Sequence, residues 1–342
     1  MYSIKEHRTI SLAAKQCNSA LDLVKLLNAV GRLNASKSES EFTMLSLKQL
    51  VYCLHNVNKE YRYFEIPKKS GSTRSIHAPK RGLKRIQHLI SELLQMLFEP
   101  DESVHGFVRE RSIVSNAKEH LGAPFVLNVD LKDFFPSVNK GRVKAVLQLA
   151  PFEIPEEGAE LIARLCSFNG VLPQGSPASP VLTNVVCQRL DRRMNLFAIA
   201  RGCVYTRYAD DMTFSSDESV FDGKFFLKLE AIVREEGFRF NISKTRLLNK
   251  STRQEVTGLV VNEKVNVPRE FVNEIRAMLH NWETKGLDFC QRKLEMLKGH
   301  PVESADFTRV LEGKLMFLRM VRGVEDKLTI RLIEQFNELK NG

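Results

Sequence analysis

Cysteine pairs of the kind that form zinc sites or disulfide frameworks are missing from the sequence. The six cysteines, at positions 17, 53, 166, 187, 203 and 290, are scattered and form no Cys-x-x-Cys pair. Zinc sites and disulfide-rich secreted domains need regularly spaced cysteines, so this spacing argues against both classes. The pattern is typical of a reduced protein, and we predict a cytoplasmic localisation.

Long apolar runs are missing as well. Residues 1–8 contain no apolar segment of the kind that a signal peptide needs. The longest uncharged run, 165–188, is interrupted by Pro173, Pro177 and Pro180 and is a poor candidate for a membrane-spanning helix. We therefore predict no membrane partner.

Acidic residues are fewer than basic ones. The chain has 51 Lys and Arg against 41 Asp and Glu, which gives a net charge of +10. Such a surplus favours a polyanionic partner, with nucleic acid ahead of an anionic membrane. With 342 residues, 43% of them hydrophobic, the chain can bury a core and form two or three subdomains.

The shortage of acids is greatest over 67–90, where a predicted β-hairpin (61–78) is followed by an amphipathic helix (80–98). This segment has no acid and seven basic residues, at positions 68, 69, 74, 80, 81, 84 and 85. A solvated face is one explanation. A surface that follows a phosphate backbone is the one that we favour.

Two adjacent carboxylates, Asp210 and Asp211, lie between strand-like arms at 203–208 and 212–215. The arms are rich in Tyr, Thr, Val and Phe, and Ala-Asp-Asp between them predicts a turn. Two unit charges about 4 Å apart repel by roughly 4 kcal/mol at an effective dielectric constant near 20. The pair therefore needs solvent, a proton or a cation, and a solvated turn is the simple alternative to a metal site.

A third carboxylate, Asp130, ends a largely apolar strand predicted over 125–131. If this strand neighbours the hairpin, three carboxylates converge at one point of a basic chain. Mg²⁺ prefers oxygen ligands and is commonly held by one or two carboxylates together with substrate phosphates. A pair of such ions suits phosphoryl transfer, so the arrangement fits nucleotidyl transfer.

Three motifs around these carboxylates resemble the successive palm motifs of reverse transcriptases. They are Asn-Val-Asp-Leu-Lys-Asp-Phe-Phe-Pro-Ser at 128–137, Leu-Pro-Gln-Gly-Ser-Pro-Ala-Ser-Pro at 172–180 and Tyr-Ala-Asp-Asp at 208–211. They occur in the order usual for that family, and the resemblance covers about 60–320.

The resemblance implies an α+β fold with the right-hand architecture of polymerases. Amino-terminal helices and fingers would occupy 1–122. A palm with an antiparallel sheet would occupy 123–262, with a fingers insertion around 139–170, and a helical thumb would occupy 263–342.

Two shorter motifs resemble signatures of the retron reverse transcriptases. Asn-Ala-Lys-Glu-His at 116–120 is similar to their Asn-Ala-x-x-His signature, and 256–258 is similar to their Val-Thr-Gly signature. A buried structural histidine and a strand with a bulge are the simpler explanations. The resemblance implies that the signature residues help to recognise a cognate RNA; they are Asn116, His120, Val256, Thr257 and Gly258.

The resemblance also implies a set of catalytic residues. Asp130, Asp210 and Asp211, with the carbonyl group of Leu131, would hold two Mg²⁺ ions, for which Mn²⁺ could substitute. Lys244 would act as a general acid near the leaving pyrophosphate, although an exposed lysine is an equally simple explanation.

Nucleotide binding would involve residues from two parts of the chain. Phe135 matches the bulky position that crowds a 2′-hydroxyl group and so favours dNTPs, with a plain core phenylalanine as the alternative. Gln174 and Gly175 would line the nucleotide and template pair. The triphosphate would be held from the fingers hairpin by Arg74 with Lys68 or Lys69, and the fixed fork of donors suits arginine to that role.

The segment 313–323 resembles the thumb helix of the family. Lys314, Arg319 and Arg322 would face the nucleic-acid duplex, which is recognised mainly through its backbone and shape. Ordinary solvated helix charge is the alternative.

The sequence is therefore identified as similar to bacterial retron reverse transcriptases. The resemblance implies that part of a cognate structured noncoding RNA is copied into single-stranded DNA (msDNA). It further implies priming from an RNA 2′-hydroxyl group to give branched RNA–DNA, and anti-phage defence with a separate effector protein. One alternative is an intron-derived or stand-alone defence reverse transcriptase. The other is a nucleic-acid-binding scaffold with a vestigial polymerase site.

Overall fold

The computed structural model describes residues 3–38, 41–67, 71, 73–298 and 307–341. Its helices are α1 (Ile4–Ala14), α2 (Ala20–Ser38), α3 (Leu47–Asn56), α4 (Arg81–Leu97), α5 (Ile113–Lys118), α6 (Lys140–Leu147), α7 (Glu156–Cys166), α8 (Ser179–Ile199), α9 (Gly223–Glu235), α10 (Arg269–Lys285), α11 (Leu287–Lys298), α12 (Phe307–Arg322) and α13 (Lys327–Asn341). Its strands are β1 (Tyr61–Pro67), β2 (Thr73–Pro79), β3 (Phe125–Asp130), β4 (Cys203–Tyr208), β5 (Asp211–Ser216), β6 (Arg246–Asn249), β7 (Glu255–Val256) and β8 (Leu259–Val260).

The largest sheet among the described residues has four antiparallel strands in the order β4-β5-β3-β6. In its register Asp130, the last residue of β3, lies opposite Asp211, the first residue of β5. The predicted strand that ends at Asp130, the predicted hairpin around Asp210 and Asp211, and the α+β class with an antiparallel sheet are confirmed.

The two faces of β3 belong to two hydrophobic cores, because successive side chains of a strand point to opposite faces. Leu127 and Val129 pack into a core that includes helices α1–α4 and α6–α9. Val126 packs into a second core, formed mainly by α10–α13 and the β7-β8 hairpin. The sheet therefore lies between the two cores, and Asp130 ends a strand that both of them fix in place.

One predicted strand is wrong. The sequence over 238–248 predicts a strand, but a short 3₁₀ turn forms at Ile242–Lys244, and within this segment the sheet strand begins at Arg246. The Ser243 hydroxyl group donates to the Asn241 side chain at 2.8 Å. Asn and Ser side chains compete with ladder pairing in this way, and the turn brings Lys244 back towards the end of β3.

The predicted basic hairpin and the helix after it are both present. β1 and β2 pair antiparallel from Tyr61 opposite Pro79 to Pro67 opposite Thr73. Helix α4 buries apolar side chains at helical spacing along one face, which is why the period of the sequence predicted it correctly. The predicted helical carboxyl-terminal part is also present, as α10–α13.

The carboxyl-terminal helices pack around Trp282, whose ring meets those of Phe307 and Phe336 edge-on, with centroids 5.9 and 5.8 Å away. In the described part of the chain, no helix has the length and apolar character needed to cross a membrane. The division into fingers, palm and thumb with the bounds given above stays a prediction.

Candidate active site

The three predicted metal-binding carboxylates meet at one edge of the four-stranded sheet. Asp130 and Asp211 are register partners across β3 and β5. The amide of Leu131 donates to the carbonyl oxygen of Asp210 at 2.9 Å, which ties the β4-β5 turn to the end of β3. Residues 80 positions apart in the sequence thus come together where the strand patterns predicted.

Lys244 contacts this cluster directly. Its ammonium nitrogen lies 2.5 and 3.0 Å from the two carboxylate oxygens of Asp130, which is only 4% exposed. The hydrogen bond to Asp130 raises the pKa of Lys244, so the side chain carries a proton at neutral pH. The predicted general acid is therefore charged and lies beside the carboxylates.

The ionised forms of Asp210 and Asp211, in the turn between β4 and β5, are destabilised. Burial, followed by the charge of Asp130, raises the pKa of Asp210. Although Asp211 is exposed at the cleft, the surrounding protein and then the charges of Asp210 and Asp130 raise the pKa of Asp211 to about 6. Like charges held together in this way are relieved by a bound cation.

A ready-made metal site is not present in the described part of the chain, since no group of three or more His, Cys, Asp and Glu side chains is arranged to hold an ion. The Lys244 ammonium group already occupies the Asp130 carboxylate. The chemistry of the site nevertheless fits Mg²⁺. All candidate ligands are oxygens, and burial together with the neighbouring carboxylates raises the pKa values of Asp210 and Asp211.

A buried arginine supports the turn between β4 and β5. Arg207 is fully buried, and its guanidinium group bonds both carboxylate oxygens of Asp191 at 2.7 Å. The same group donates to the carbonyl oxygen of Ala209 at 3.1 Å. Ala209 has φ = 58°, an uncommon conformation for a residue with a side chain, so this hydrogen bond helps to hold a strained position of the turn.

The turn is also held from the side by the segment around Gly106. A Cβ atom at Gly106 would lie 2.4 Å from the amide nitrogen of Ala209, so only glycine permits this approach. Asn184 donates to the Gly106 carbonyl oxygen at 2.9 Å and accepts from Arg207 at 3.1 Å. Sequence analysis missed these supporting residues, because their roles depend on contacts between distant segments.

The predicted nucleotide-binding residues contact two different parts of the chain. Phe135 is partly buried and packs beside Phe107, with ring centroids 6.2 Å apart. The Gln174 carbonyl oxygen accepts from the amide of His77 at 2.8 Å, which joins the Leu-Pro-Gln-Gly loop to the β1-β2 hairpin. Gly175 has φ = 111°, and a Cβ atom there would lie 3.0 Å from the His77 carbonyl oxygen.

Arg74 is exposed on β2, and its positive charge opposes the rise in the pKa of Asp210. Lys68 and Lys69 lie outside the described residues. The predicted triphosphate role of all three stays a prediction.

A cleft of about 450 Å³ runs from Asp130, Asp211 and Lys244 to Thr257 and Gly258. The Val-Thr-Gly turn therefore forms one wall of the cavity that contains the carboxylates. Thr257 has φ = 48° and Gly258 has φ = 81°, so both lie in the left-handed region that makes this turn tight.

The Asn-Ala-x-x-His residues lie beneath that wall. Asn116 and His120 are each 1% exposed, so neither presents its side chain to the surface. His120 bonds the hydroxyl oxygens of Thr206 and Ser215, both at 2.7 Å. Val256 is also buried. Their predicted part in RNA recognition stays a prediction, and the burial favours an indirect one.

The predicted thumb cations differ in their surroundings. Lys314 pairs with Glu274 at 2.8 Å, and Arg322 pairs with Asp326 at 2.9 Å. Arg319 is exposed on α12. A duplex would therefore meet Arg319 directly, whereas the other two would first exchange an internal partner.

Comparisons with known proteins agree with this geometry. The profile of the family described as "Reverse transcriptase (RNA-dependent DNA polymerase)" matches residues 66–261. The chain is 34% identical to the retron Mx162 reverse transcriptase of Myxococcus xanthus over 329 residues, which cover 86% of this chain and 65% of that protein. It is 35% identical to the retron Ec86 reverse transcriptase of Escherichia coli over 255 residues, which cover 73% of this chain and 78% of that protein. The first match thus spans slightly less than two thirds of its relative.

Among solved structures, a telomerase from Candida albicans in complex with a TWJ fragment of telomeric RNA is similar, with a TM-score of 0.44 and 11% identity. The similarity covers 92% of this chain and 68% of that one.

Proposed function

Because the chain belongs to the reverse transcriptases, and among them to the retron type, we propose that it is an RNA-directed DNA polymerase. The observation that supports this most directly is the meeting of Asp130, Asp210 and Asp211 at one edge of the sheet. Asp130 and Asp211 line a cleft of about 450 Å³. The substrates would be dNTPs and an RNA template.

The reaction joins an oxygen nucleophile of the primer to the α-phosphorus of a dNTP and breaks the bond to pyrophosphate. Asp130, Asp210 and Asp211 would hold two divalent ions, Mg²⁺ by preference, with the Leu131 carbonyl group as a further oxygen ligand. Bound ions of this kind neutralise charge on the transferring phosphate and orient it. Lys244 would give its proton to the leaving pyrophosphate, and its raised pKa keeps that proton available.

Substrate selection would depend on residues around the carboxylates. Phe135, supported by Phe107, would crowd a 2′-hydroxyl group and so favour deoxynucleotides. Arg74, whose charge already reaches Asp210, would bind the triphosphate. Gln174 and Gly175 would lie beside the pair formed by the nucleotide and the template, because their loop is bonded to the fingers hairpin through His77.

The template would be a structured noncoding RNA that belongs with this protein, as the family resemblance implies. The product would be single-stranded DNA, primed from an RNA 2′-hydroxyl group and joined to the RNA by a branch. A separate effector protein and a role in anti-phage defence complete the proposal, and both rest on the resemblance. The fingers (1–122), palm (123–262) and thumb (263–342) are the parts through which the RNA would be held.

Sequencing the nucleic acid that copurifies with the protein tests the proposal. We expect an RNA of defined sequence covalently joined to DNA, with the DNA resistant to RNase and released by a debranching enzyme. A matched preparation of an Asp210→Asn, Asp211→Asn variant should carry the RNA without the DNA. Recovery of RNA alone from both preparations would favour a scaffold with a vestigial site.

A further inference from the structure

The segment 103–111 lies beside the candidate site and contains a strained aromatic residue. Phe107 has φ = 63°, in the left-handed region that residues with bulky side chains rarely adopt. Its side chain is 41% exposed, so burial of the ring offsets this strain only in part. Strained backbone that persists in a folded protein is common at functional sites. We refer to residues 103–111 as the Phe107 loop.

The first half of the Phe107 loop is bonded to strand β4, which leads into the catalytic turn. The amide of Arg207 donates to the Ser103 carbonyl oxygen at 2.8 Å, and the amide of His105 donates to the Arg207 carbonyl oxygen at 2.8 Å. Val104 forms a parallel bridge with Arg207. These contacts fix the backbone before Phe107 relative to the turn between β4 and β5.

Gly106, the residue before Phe107, approaches the catalytic turn itself. A Cβ atom at Gly106 would lie 2.4 Å from the amide nitrogen of Ala209. The side chain of Asn184 donates to the Gly106 carbonyl oxygen at 2.9 Å. This carbonyl group belongs to the peptide unit that leads into Phe107, so the hydrogen bond limits rotation of the backbone where φ is positive.

The second half of the Phe107 loop is closed by an arginine. The Nη1 atom of Arg111 donates to the carbonyl oxygen of Val104 at 2.6 Å and also to that of Asp101. The amide of Arg111 donates to the Val108 carbonyl oxygen at 3.3 Å. Hydrogen bonds therefore hold the loop on both sides of Phe107.

The ring that the loop presents packs beside Phe135. The centroids of the Phe107 and Phe135 rings are 6.2 Å apart, and those of Phe134 and Phe135 are 5.5 Å apart. Aromatic rings at such distances attract each other beyond the effect of burial alone. Phe134 is buried, whereas Phe107 is exposed. Phe107 is therefore the partner of Phe135 that is in contact with solvent.

We propose that Phe107 is a positioning residue for sugar selection, which holds the ring of Phe135 where that ring crowds a 2′-hydroxyl group. This inference rests on the proposed function, because it starts from the selection of dNTPs by Phe135. Since the loop is bonded to the catalytic turn, the position of the Phe107 ring is fixed relative to the carboxylates. The strained backbone is what this placement requires, and Phe107 acts through Phe135 without touching the nucleotide.

Two glycine variants separate the ring from the backbone of the loop. Phe107→Gly removes the ring and relieves the strain, because glycine readily adopts a positive φ. Glu110→Gly is the matched control, since Glu110 also has φ = 63° and is exposed in the same loop. We expect both variants to unfold close to the wild-type temperature, because the relieved strain favours the folded state. A loss of selectivity is then not a loss of stability.

Sugar selection is measured as the ratio of kcat/KM for a dNTP to that for the matching rNTP on one primed RNA template. We expect Phe107→Gly to lower this ratio about threefold to tenfold, the range that corresponds to the loss of one aromatic pair. The change should come from a lower KM for the rNTP, with kcat for the dNTP unchanged. Glu110→Gly should keep the wild-type ratio, and Phe107→Tyr should restore it.

A double variant tests whether Phe107 acts through Phe135. Adding Phe107→Gly to Phe135→Ala should lower the ratio no further than Phe135→Ala alone, because residues that act as a unit have non-additive effects. Losses that add would mean that Phe107 contacts the nucleotide directly, and they would overturn the positioning role.

A nitrile label tests the same contact without catalysis. With 4-cyanophenylalanine incorporated at position 135, the nitrile stretching band should shift and broaden in Phe107→Gly, because water reaches the ring. The band should stay unchanged in Glu110→Gly.

An unchanged selectivity ratio or an unchanged nitrile band in Phe107→Gly would overturn the inference. If the wild type incorporates neither the dNTP nor the rNTP, the proposed function fails. The nitrile band then still decides whether Phe107 positions the ring of Phe135.

Discussion

At the scale of single residues, the catalytic turn depends on a buried guanidinium group. Arg207 connects Asp191 and Asn184 of α8 to the backbone of the turn at Ala209. Both partners of the ion pair are almost fully buried, so removal of one leaves the other charge without compensation. The residue thus supports the position of the carboxylates without touching substrate.

We expect Arg207→Met to lower the free energy of unfolding by about 3–5 kcal/mol, the usual cost of breaking a buried ion pair. Arg192→Met, at an exposed position of α8 next to Asp191, should change it by less than about 0.5 kcal/mol. Urea denaturation followed by circular dichroism measures both. Similar small changes in the two variants would contradict the structural role of Arg207.

Under the proposed function, Phe135 would crowd the 2′-hydroxyl group of a ribonucleotide and so select the sugar. We expect Phe135→Ala to raise the use of ribonucleotides relative to deoxynucleotides by at least about tenfold, because the 2′-hydroxyl group is no longer crowded. Phe226→Ala, a partly buried ring on α9, is the control. The measurement is the ratio of kcat/KM for dNTP and rNTP on one primed template. An unchanged ratio would return Phe135 to a packing role.

The carboxylates that meet at the sheet edge could be located from the sequence, whereas the groups that support them could not. Asp130, Asp210 and Asp211 were found because each ends a strand-like pattern, and antiparallel pairing of such strands brings their ends together. Gly106 and Arg207 were not found, because a close backbone approach and a buried ion pair leave no periodic signal in the sequence. Motif resemblance gave the positions of Asn116 and His120, and the burial of His120 agrees with the alternative explanation of a structural histidine.

At the scale of elements, one histidine joins the Asn-Ala-x-x-His segment to the catalytic sheet. His120 follows α5 and bonds Thr206 on β4 and Ser215 on β5. Burial, with the nearby His105, lowers the pKa of His120 to about 3. The histidine is therefore neutral in the folded protein over the whole range in which an unfolded histidine, with a pKa near 6.5, takes up a proton.

For this reason, the free energy of unfolding should decrease as the pH is lowered below about 6.5. Above that pH, His120 is neutral in both the folded and the unfolded state. Between about pH 6.5 and 3, only the unfolded state binds the proton. The free energy of unfolding therefore decreases by about 1.4 kcal/mol for each pH unit in this range. We expect His120→Gln to reduce the slope of the unfolding free energy against pH between about 6 and 5 by this amount, and exposed His280→Gln to leave it unchanged. Equal slopes in the wild type and His120→Gln would contradict the assignment.

Elements with a clear periodicity of apolar residues were predicted correctly. A segment whose conformation depends on a local side-chain hydrogen bond was not. Helix α4 and the hairpin before it follow from alternation and from helical spacing of apolar residues. The segment over 238–248 alternates in the same way, but its Asn and Ser side chains bond each other and form a turn. That error matters for function, because the turn is what carries Lys244 to Asp130.

At the scale of the whole molecule, the catalytic edge lies on the sheet that separates two cores. One core is formed by the amino-terminal helices with α6–α9, and the other is formed mainly by α10–α13, where Arg319 is exposed on α12. Under the proposed function, nucleic acid would pass the carboxylates between these two parts. The net charge of +10 suits such a path.

The central claim is that the carboxylates of the sheet edge bind divalent ions and catalyse DNA synthesis on RNA. Its most direct test is magnesium-dependent incorporation of dNTPs on a primed RNA template by the wild type, by Asp210→Asn, Asp211→Asn and by Asp133→Asn. Asp133 is an exposed aspartate with φ = 49°, near the site but outside the cluster, and asparagine tolerates that conformation.

We expect the double variant to lose at least about a thousandfold in rate, since bound ions contribute several kcal/mol to such transition states. RNA binding should be retained in that variant, and Asp133→Asn should incorporate dNTPs at close to the wild-type rate. Incorporation by the double variant at the wild-type rate, with the same dependence on magnesium, would contradict the account.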